Sequence, residues 1–105
     1  MGKLEQKLSR MGHSLPAPFS YPSPNRTGCV QVGNVVFVSG HGRDLPDGVK
    51  SDDAGKVDSE VTLEEAVESA RHVALSILAS LKRHCGGDLD RVKRVVRIFG
   101  MVNSA

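Results

Sequence analysis

A serine, a glycine and a histidine that follow a short apolar run are the residues best suited to chemistry. Ser39, Gly40 and His41 stand directly after Val35-Val36-Phe37-Val38. Histidine gains and loses a proton near neutral pH, so His41 is the candidate general acid or base. Ser39 offers a hydroxyl, and Gly40 removes side-chain bulk so that a ligand could approach backbone N–H groups. The residue types leave a second interpretation open, a turn glycine beside a loop histidine without a catalytic role.

Two candidate substrate-binding residues precede this run. Tyr21 lies in the proline-containing segment 13–25, which should follow an extended path, and its ring could line a pocket. Arg26 could bind an anionic substrate. The plainer alternatives are an aromatic anchor that packs the segment on the domain, and a surface arginine.

Composition and charge exclude several classes of protein. With 105 residues, of which 39% are hydrophobic and 25% charged, the chain suits one soluble domain with a modest core. A net charge of +2 makes nucleic acid an unexpected partner, although basic residues gather at 82–84 and 91–97. No apolar run reaches the roughly 18 residues of a membrane span, and the first residues lack the apolar centre of a signal peptide. We therefore expect a cytoplasmic protein without a membrane partner.

The sequence shows no pattern of a metal or cofactor site. Cys29 and Cys85 stand far apart without a C-x-x-C spacing, so neither a zinc site nor a disulfide is expected. The aspartates between Asp44 and Asp53 lack the order of an EF-hand, which favours a solvated turn. Because no Ser-His-Asp order or phosphate-binding loop is found either, no cofactor and no metal are predicted.

Local signals define the elements that would position these residues. Residues 2–11 have the spacing of a short amphipathic helix that ends at Gly12. Residues 27–32 and 34–40 predict a hairpin, and its second strand has the continuous apolar pattern of a strand covered on both faces. Residues 55–58 predict a short third strand and residues 92–102 a central strand.

The clearest element is a long helix that begins after Thr62. Thr62 and Glu65 form the pattern of a capping box, and Gly86-Gly87 provides the stop. Apolar residues recur every three or four positions and predict one buried stripe that lies on the sheet: Ala66, Val67, Ala70, Val73, Ala74, Ile77, Leu78 and Leu81. Together the elements predict an α+β fold, with an antiparallel-rich sheet packed on a long helix.

The order of these elements resembles the RidA (YjgF) family. The resemblance rests on Gly33-Asn34-Val35-Val36-Phe37-Val38-Ser39-Gly40, the polar Gly/Asp loop, the long helix, and the segment from Gly87 to Arg97. It covers residues 13–105 and leaves residues 1–12 as an amino-terminal helical extension. It implies a chorismate-mutase-like fold, a homotrimer, and a cytoplasmic hydrolase of the type often labelled endoribonuclease L-PSP. Such deaminases convert reactive enamines and imines, including 2-imino acids, to keto acids and ammonia in a pocket between subunits.

The resemblance also bears on individual residues. Ser39-Gly40 match the family's Ser-Gly pair at the pocket rim, and Gly33-Asn34 match its structural turn. His41 stands where many members have glutamine, and Arg26 where many have a tyrosine, so the role of Tyr21 stays open. The family's carboxyl-terminal portion, whose arginine holds the substrate carboxylate, is expected to be missing here. We therefore expect impaired deaminase activity or, alternatively, a non-catalytic small-molecule-binding or assembly subunit of a RidA-like oligomer.

Overall fold

A computed structural model describes residues 2–21, 23–42 and 55–105 and has a small α+β architecture. In chain order the elements are helix α1 (Lys3–Arg10), strands β1 (Cys29–Val32) and β2 (Val35–Val38), helix α2 (Leu63–His84) and a 3₁₀ turn (Leu89–Arg91). The α+β class predicted from the sequence is confirmed. Within the described ranges, neither helix combines the length and the apolar character that crossing a membrane requires.

Helix α2 begins and ends where the sequence predicts. The Thr62 hydroxyl oxygen accepts the Glu65 N–H at 3.1 Å, and the same hydroxyl lies 3.2 Å from Glu65 Oε1, to which it donates. The helix ends at His84, and Gly86 and Gly87 follow with φ of +71° and +98°. Glycine adopts this left-handed conformation without the steric cost that other residues incur, which explains the sharp stop.

The buried face of α2 differs from the predicted stripe. The buried residues of the helix are Leu75, Ser76, Ala79 and Ser80, whereas Val67 is 50% exposed and Ala70 and Ala74 are also exposed. The stripe prediction is therefore wrong for much of its length. The reason is steric, because the small residues on this face of α2 let β1 and the residues before it pack closely on the helix. A Cβ added to Gly28, the residue before β1, would lie 3.2 Å from Ser80 Oγ.

Strands β1 and β2 form the predicted antiparallel hairpin, each over fewer residues than predicted. Cys29 pairs with Val38 and Val32 with Val35, which leaves Gly33-Asn34 as the turn. Gly33 has φ of +58°, the left-handed value that a tight hairpin turn needs at its first central residue. The hairpin and its turn are confirmed.

Strand β2 is not covered on both faces, contrary to its continuous apolar pattern. Val35 is 46% exposed and Phe37 is 61% exposed. In the described part of the chain the sheet has β1 and β2 alone, and α2 contacts the hairpin through β1. A continuous apolar run predicts that a strand is buried but does not identify the element that covers it. Here the described residues do not cover both faces of β2.

The third and the last predicted strands are not formed. Val57 makes isolated parallel bridges with Val61 and Ser104, and residues 92–103 have no regular secondary structure. Val96 is 80% exposed and Ile98 is 85% exposed. A strand needs a neighbour with free backbone groups, and among the described residues Val57 is the one that pairs with this segment. The predicted aspartate turn from Asp44 to Asp53 lies outside the described residues.

Helix α1 is one residue shorter at each end than the predicted range 2–11, and it buries an unexpected residue. Gly12 follows the helix with φ of +83°, as expected for a glycine after a helix end. Leu4 is 40% exposed, whereas Glu5 is only 5% exposed because α1 packs on the 3₁₀ turn through this side chain. The Glu5 carboxylate accepts the Leu89 N–H at 2.9 Å, so a polar contact rather than an apolar stripe joins the two segments.

Candidate functional site

A cavity of about 250 Å³ lies between the proline-containing segment, β1 and the carboxyl end of α2. Two aromatic residues, a thiol, a buried hydroxyl and two basic residues are among those that line it: Phe19, Tyr21, Cys29, Ser80, Arg83 and His84. The lining combines apolar walls with a few polar groups, as small-molecule sites do, in a volume just below their usual range of about 300–1,000 Å³.

Of the two residues predicted to bind substrate at positions 21 and 26, Tyr21 lines this cavity, whereas Arg26 does not line it and adjoins it through Tyr21. The rings of Phe19 and Tyr21 meet edge to face, with centroids 4.9 Å apart and an interplanar angle of 81°. Arg26 Cζ lies 5.2 Å from the Tyr21 ring centroid, within the range of a cation–π contact. An aromatic wall with a guanidinium against it can hold a planar, anionic molecule.

His41 reaches the cavity wall through Ser80. Its Nδ1 lies 2.6 Å from the Ser39 carbonyl oxygen, and its Nε2 lies 2.8 Å from Ser80 Oγ. A carbonyl can only accept, so in the neutral ring Nδ1 carries the proton and Nε2 accepts from the Ser80 hydroxyl. This arrangement fixes the ring and gives it a path for a proton to the cavity.

Ser39 and Gly40, which were predicted to lie at the pocket rim, have simpler surroundings than His41. The Ser39 hydroxyl donates to the Thr27 carbonyl oxygen at 2.5 Å, and the Ser39 N–H donates to the Gly28 carbonyl oxygen at 2.9 Å. Both bonds fasten the end of β2 to the residues before β1. No described atom lies within 4 Å of where a Gly40 Cβ would be, so this position is open to an approaching molecule.

Sequence reasoning missed Ser80 and His84 as parts of the site. From the sequence, His84 is only one of the basic residues at 82–84, yet its Nε2 also lies 2.8 Å from Gln31 Oε1, to which it donates. Gln31 in turn donates to the Gly33 carbonyl oxygen at 2.9 Å. The available signal for Ser80 was its spacing of four from Ser76, which puts two hydroxyls on one face of α2.

The two cysteines are free thiols, as predicted. Burial, followed by the neighbouring Cys85 thiol, raises the pKa of the Cys29 thiol above its ordinary value. Cys29 is therefore protonated at neutral pH, and its place in the cavity wall is that of a small apolar group rather than a nucleophile.

No family model matches this chain, whereas a curated protein and a solved structure are similar to it. Protein TCP17 of Trypanosoma cruzi is 35% identical over 105 residues, an alignment that covers 99% of this chain and 62% of TCP17. The crystal structure of Atu1372 from Agrobacterium tumefaciens, a protein of unknown function, matches with a TM-score of 0.75 and 30% identity. That match covers 89% of this chain and 54% of Atu1372. This chain thus spans less than two thirds of either relative, and neither relative's name states an activity.

Proposed function

We propose that this chain forms part of a RidA-like deaminase that hydrolyses 2-imino acids and related enamines. The observation that carries the proposal is the hydrogen bond of 2.8 Å between His41 Nε2 and Ser80 Oγ at the wall of a small-molecule cavity. His41 and Ser80 would supply the proton-transfer group that imine hydrolysis requires, next to a surface that suits the substrate.

The substrate would lie against Tyr21 with its carboxylate toward Arg26. The conjugated imino acid is planar and negatively charged, and the cation–π pair of these two residues presents both a flat face and a positive charge. Arg83, which lines the same cavity, is a second cation for the carboxylate. Holding the carboxylate orients the imine carbon for attack by water.

The reaction needs one water and two proton transfers. Water adds to the imine carbon as a proton reaches the imine nitrogen, which gives a carbinolamine. The carbon–nitrogen bond then breaks, ammonia leaves, and the hydroxyl loses its proton to become the keto oxygen. His41 would move these protons by way of the Ser80 hydroxyl, since Ser80 lies between the ring and the cavity.

Exposed apolar residues support the trimer that the resemblance implies. Phe37 is 61% exposed on β2, and Ile98 and Phe99 are 85% and 72% exposed near the carboxyl end. Large apolar side chains that are exposed in one chain would be buried if they lay in a subunit interface. A pocket completed by a neighbouring subunit would be enclosed more fully than the cavity of one chain.

A second function, a non-catalytic small-molecule-binding or assembly subunit, is favoured by one observation. The Ser39 hydroxyl, at the position that matches the family's pocket rim, donates its proton to the Thr27 carbonyl oxygen. It is then unable to donate to a ligand. A subunit of this kind would bind a keto acid or associate with copies of itself, without turnover.

Ammonia release from a freshly generated 2-imino acid tests the proposal. We expect the chain to accelerate release above the uncatalysed rate, and His41→Ala to lower kcat about 100-fold, as for loss of a general acid or base. Arg26→Ala should raise KM instead, because it removes charge from the binding surface. Glu64→Gln, an exposed change at the start of α2, is the matched control and should leave both constants unchanged.

The outcome separates the two functions. No turnover together with saturable binding of a keto acid, weakened in Arg26→Ala, would favour the binding subunit. Neither turnover nor binding at millimolar concentration would contradict both.

A further inference from the structure

Three carboxylates converge where α1 meets the 3₁₀ turn. They belong to Glu5, Asp88 and Asp90, and one oxygen from each lies within 4.8 Å of the others. The cluster joins α1 to the 3₁₀ turn, and none of its residues lines the candidate substrate cavity.

Backbone hydrogen bonds hold each carboxylate in place. Asp90 accepts the Lys3 N–H at 2.7 Å and the Leu4 N–H at 2.9 Å. Asp88 accepts the Asp90 N–H at 2.9 Å, and Glu5 Oε1 accepts the Leu89 N–H at 2.9 Å. These donors lower the pKa of both the Glu5 and the Asp90 carboxyl groups, so the two groups are ionised at neutral pH.

The second oxygen of Glu5 is buried without a partner. The Glu5 residue is 5% exposed, and among the described residues its Oε2 has no hydrogen-bond donor. An ionised oxygen removed from water is costly unless a cation or a donor compensates it. Lys82 contributes positive charge near Glu5, but no hydrogen bond from it to Oε2 is present.

Gly2 leaves room beside the three oxygens. A Cβ added to this glycine would lie 2.6 Å from Glu5 Oε2, 2.7 Å from Asp88 Oδ1 and 3.0 Å from Asp90 Oδ2. The three named oxygens therefore point toward one place, directly beside the Gly2 backbone. A side chain at position 2 would occupy it, whereas an ion can lie slightly further from the backbone and still reach all three.

We propose that Glu5, Asp88 and Asp90 bind one divalent cation with the preferences of Ca²⁺. Calcium takes oxygen ligands at about 2.3–2.6 Å, so oxygens about twice that distance apart can lie around a single ion. Magnesium requires about 2.0–2.1 Å and therefore a tighter convergence. Exposed Asp88 and half-buried Asp90 leave one side of the ion to water, which completes its coordination. The ion holds α1 on the 3₁₀ turn and is structural.

Titration of the chelator-treated full chain with Ca²⁺, and with Tb³⁺ as a luminescent probe, tests the site. We expect one ion per chain and a rise in melting temperature of at least about 5 °C at 100 times Kd. Glu5→Gln and Asp88→Asn should each raise Kd at least about tenfold, since each keeps an oxygen that accepts the backbone N–H but removes a negative charge. Asp47→Asn, in the aspartate-containing segment outside the described residues, is the control and should leave Kd unchanged.

Gly2→Ala provides a test that keeps every charge. Its methyl group would meet all three carboxylates, so we expect weaker binding without loss of the fold, and this variant remains informative if Glu5→Gln does not fold. No binding at millimolar Ca²⁺ would overturn the proposal. The proposal would also be overturned if Asp47→Asn reduced the affinity for Ca²⁺ while Gly2→Ala and Asp88→Asn left it unchanged.

Discussion

His41 Nε2 lies 2.8 Å from Ser80 Oγ. This hydrogen bond connects His41, which follows the hairpin, to the buried face of α2. The two residues are 39 positions apart, so this contact depends on the hairpin being docked on the helix. A second contact orients the ring, because its other nitrogen donates to the Ser39 carbonyl oxygen. The side chain that we propose for proton transfer is thus also one that docks the hairpin on α2.

The coupling predicts non-additive stability effects at these two positions. We expect Ser80→Ala and His41→Ala each to lower the free energy of unfolding, and the double variant to lose less than the sum by about 0.5–1.5 kcal/mol. Urea denaturation of the four proteins measures this interaction energy. An interaction energy near zero would show that the two groups do not bond in solution.

The hairpin turn predicts a difference between two glycines. Gly33→Ala should lower the free energy of unfolding by about 1–2 kcal/mol, because φ of +58° forces Cβ against the backbone. Gly40→Ala is the matched control, since a Cβ there has no neighbour within 4 Å and its φ is not positive. Equal losses in the two variants, measured by urea denaturation, would contradict the turn geometry.

The start of α2 predicts a specific loss for one hydroxyl. Thr62→Ala should lower the free energy of unfolding by about 1 kcal/mol, because the Glu65 N–H loses its acceptor. Thr62→Ser keeps the oxygen and should restore most of the stability. Thermal or chemical denaturation measures both changes, and a serine variant as unstable as the alanine variant would assign the loss to the methyl group instead.

The partly buried position of Cys29 predicts slow alkylation. Because burial raises the pKa of its thiol, we expect the rate of reaction with iodoacetamide in a Cys85→Ser variant to rise at a higher pH than the ordinary thiol value of 9.0. The sign for stability follows: the folded chain binds this proton more tightly than the unfolded chain, so stability falls as pH rises above 9.0. Alkylation at the rate of a free cysteine would place the thiol in solvent.

The exposed apolar surface predicts self-association. Phe37→Glu should reduce the molar mass of the native chain measured by light scattering, with little change in helical content by circular dichroism. Leu63→Glu, at an equally exposed residue outside the hairpin, is the control, since Leu63 is 60% exposed on α2. A native chain that is already a monomer would contradict the trimer.

The elements that sequence predicted well are those specified by neighbouring residues. The Thr62 and Glu65 cap and the Gly33 turn each depend on residues only a few positions apart in the sequence. Residue type and spacing are therefore enough to predict them. The buried face of α2 could not be predicted, because burial of Ser80 requires knowing that β1 lies against it. The residues around Ile98 likewise form a strand only if a pairing partner exists.

The candidate site shows the same division. Tyr21 and Arg26 were both named from the sequence, and their contact needs only a short turn between them. Ser80 lies 39 residues beyond His41 and was not predicted, because no local signal links the two positions. Glu5 was missed for a related reason, since an apolar pattern directs attention to Leu4 and Leu8 rather than to the acid between them.

The contact of Glu5 with Leu89 has a consequence for the order of folding. Its two residues are 84 positions apart, so closing it requires a loop that includes the hairpin and all of α2. Contacts of such sequence separation form after local ones, and α1 should therefore dock last and detach first. Native-state hydrogen exchange should show the Leu89 amide opening at a lower free energy than amides in the middle of α2. An affinity tag at the amino terminus would then be attached to α1, the least stable part of the chain. We expect removal of the tag to lower the rate at which α1 detaches.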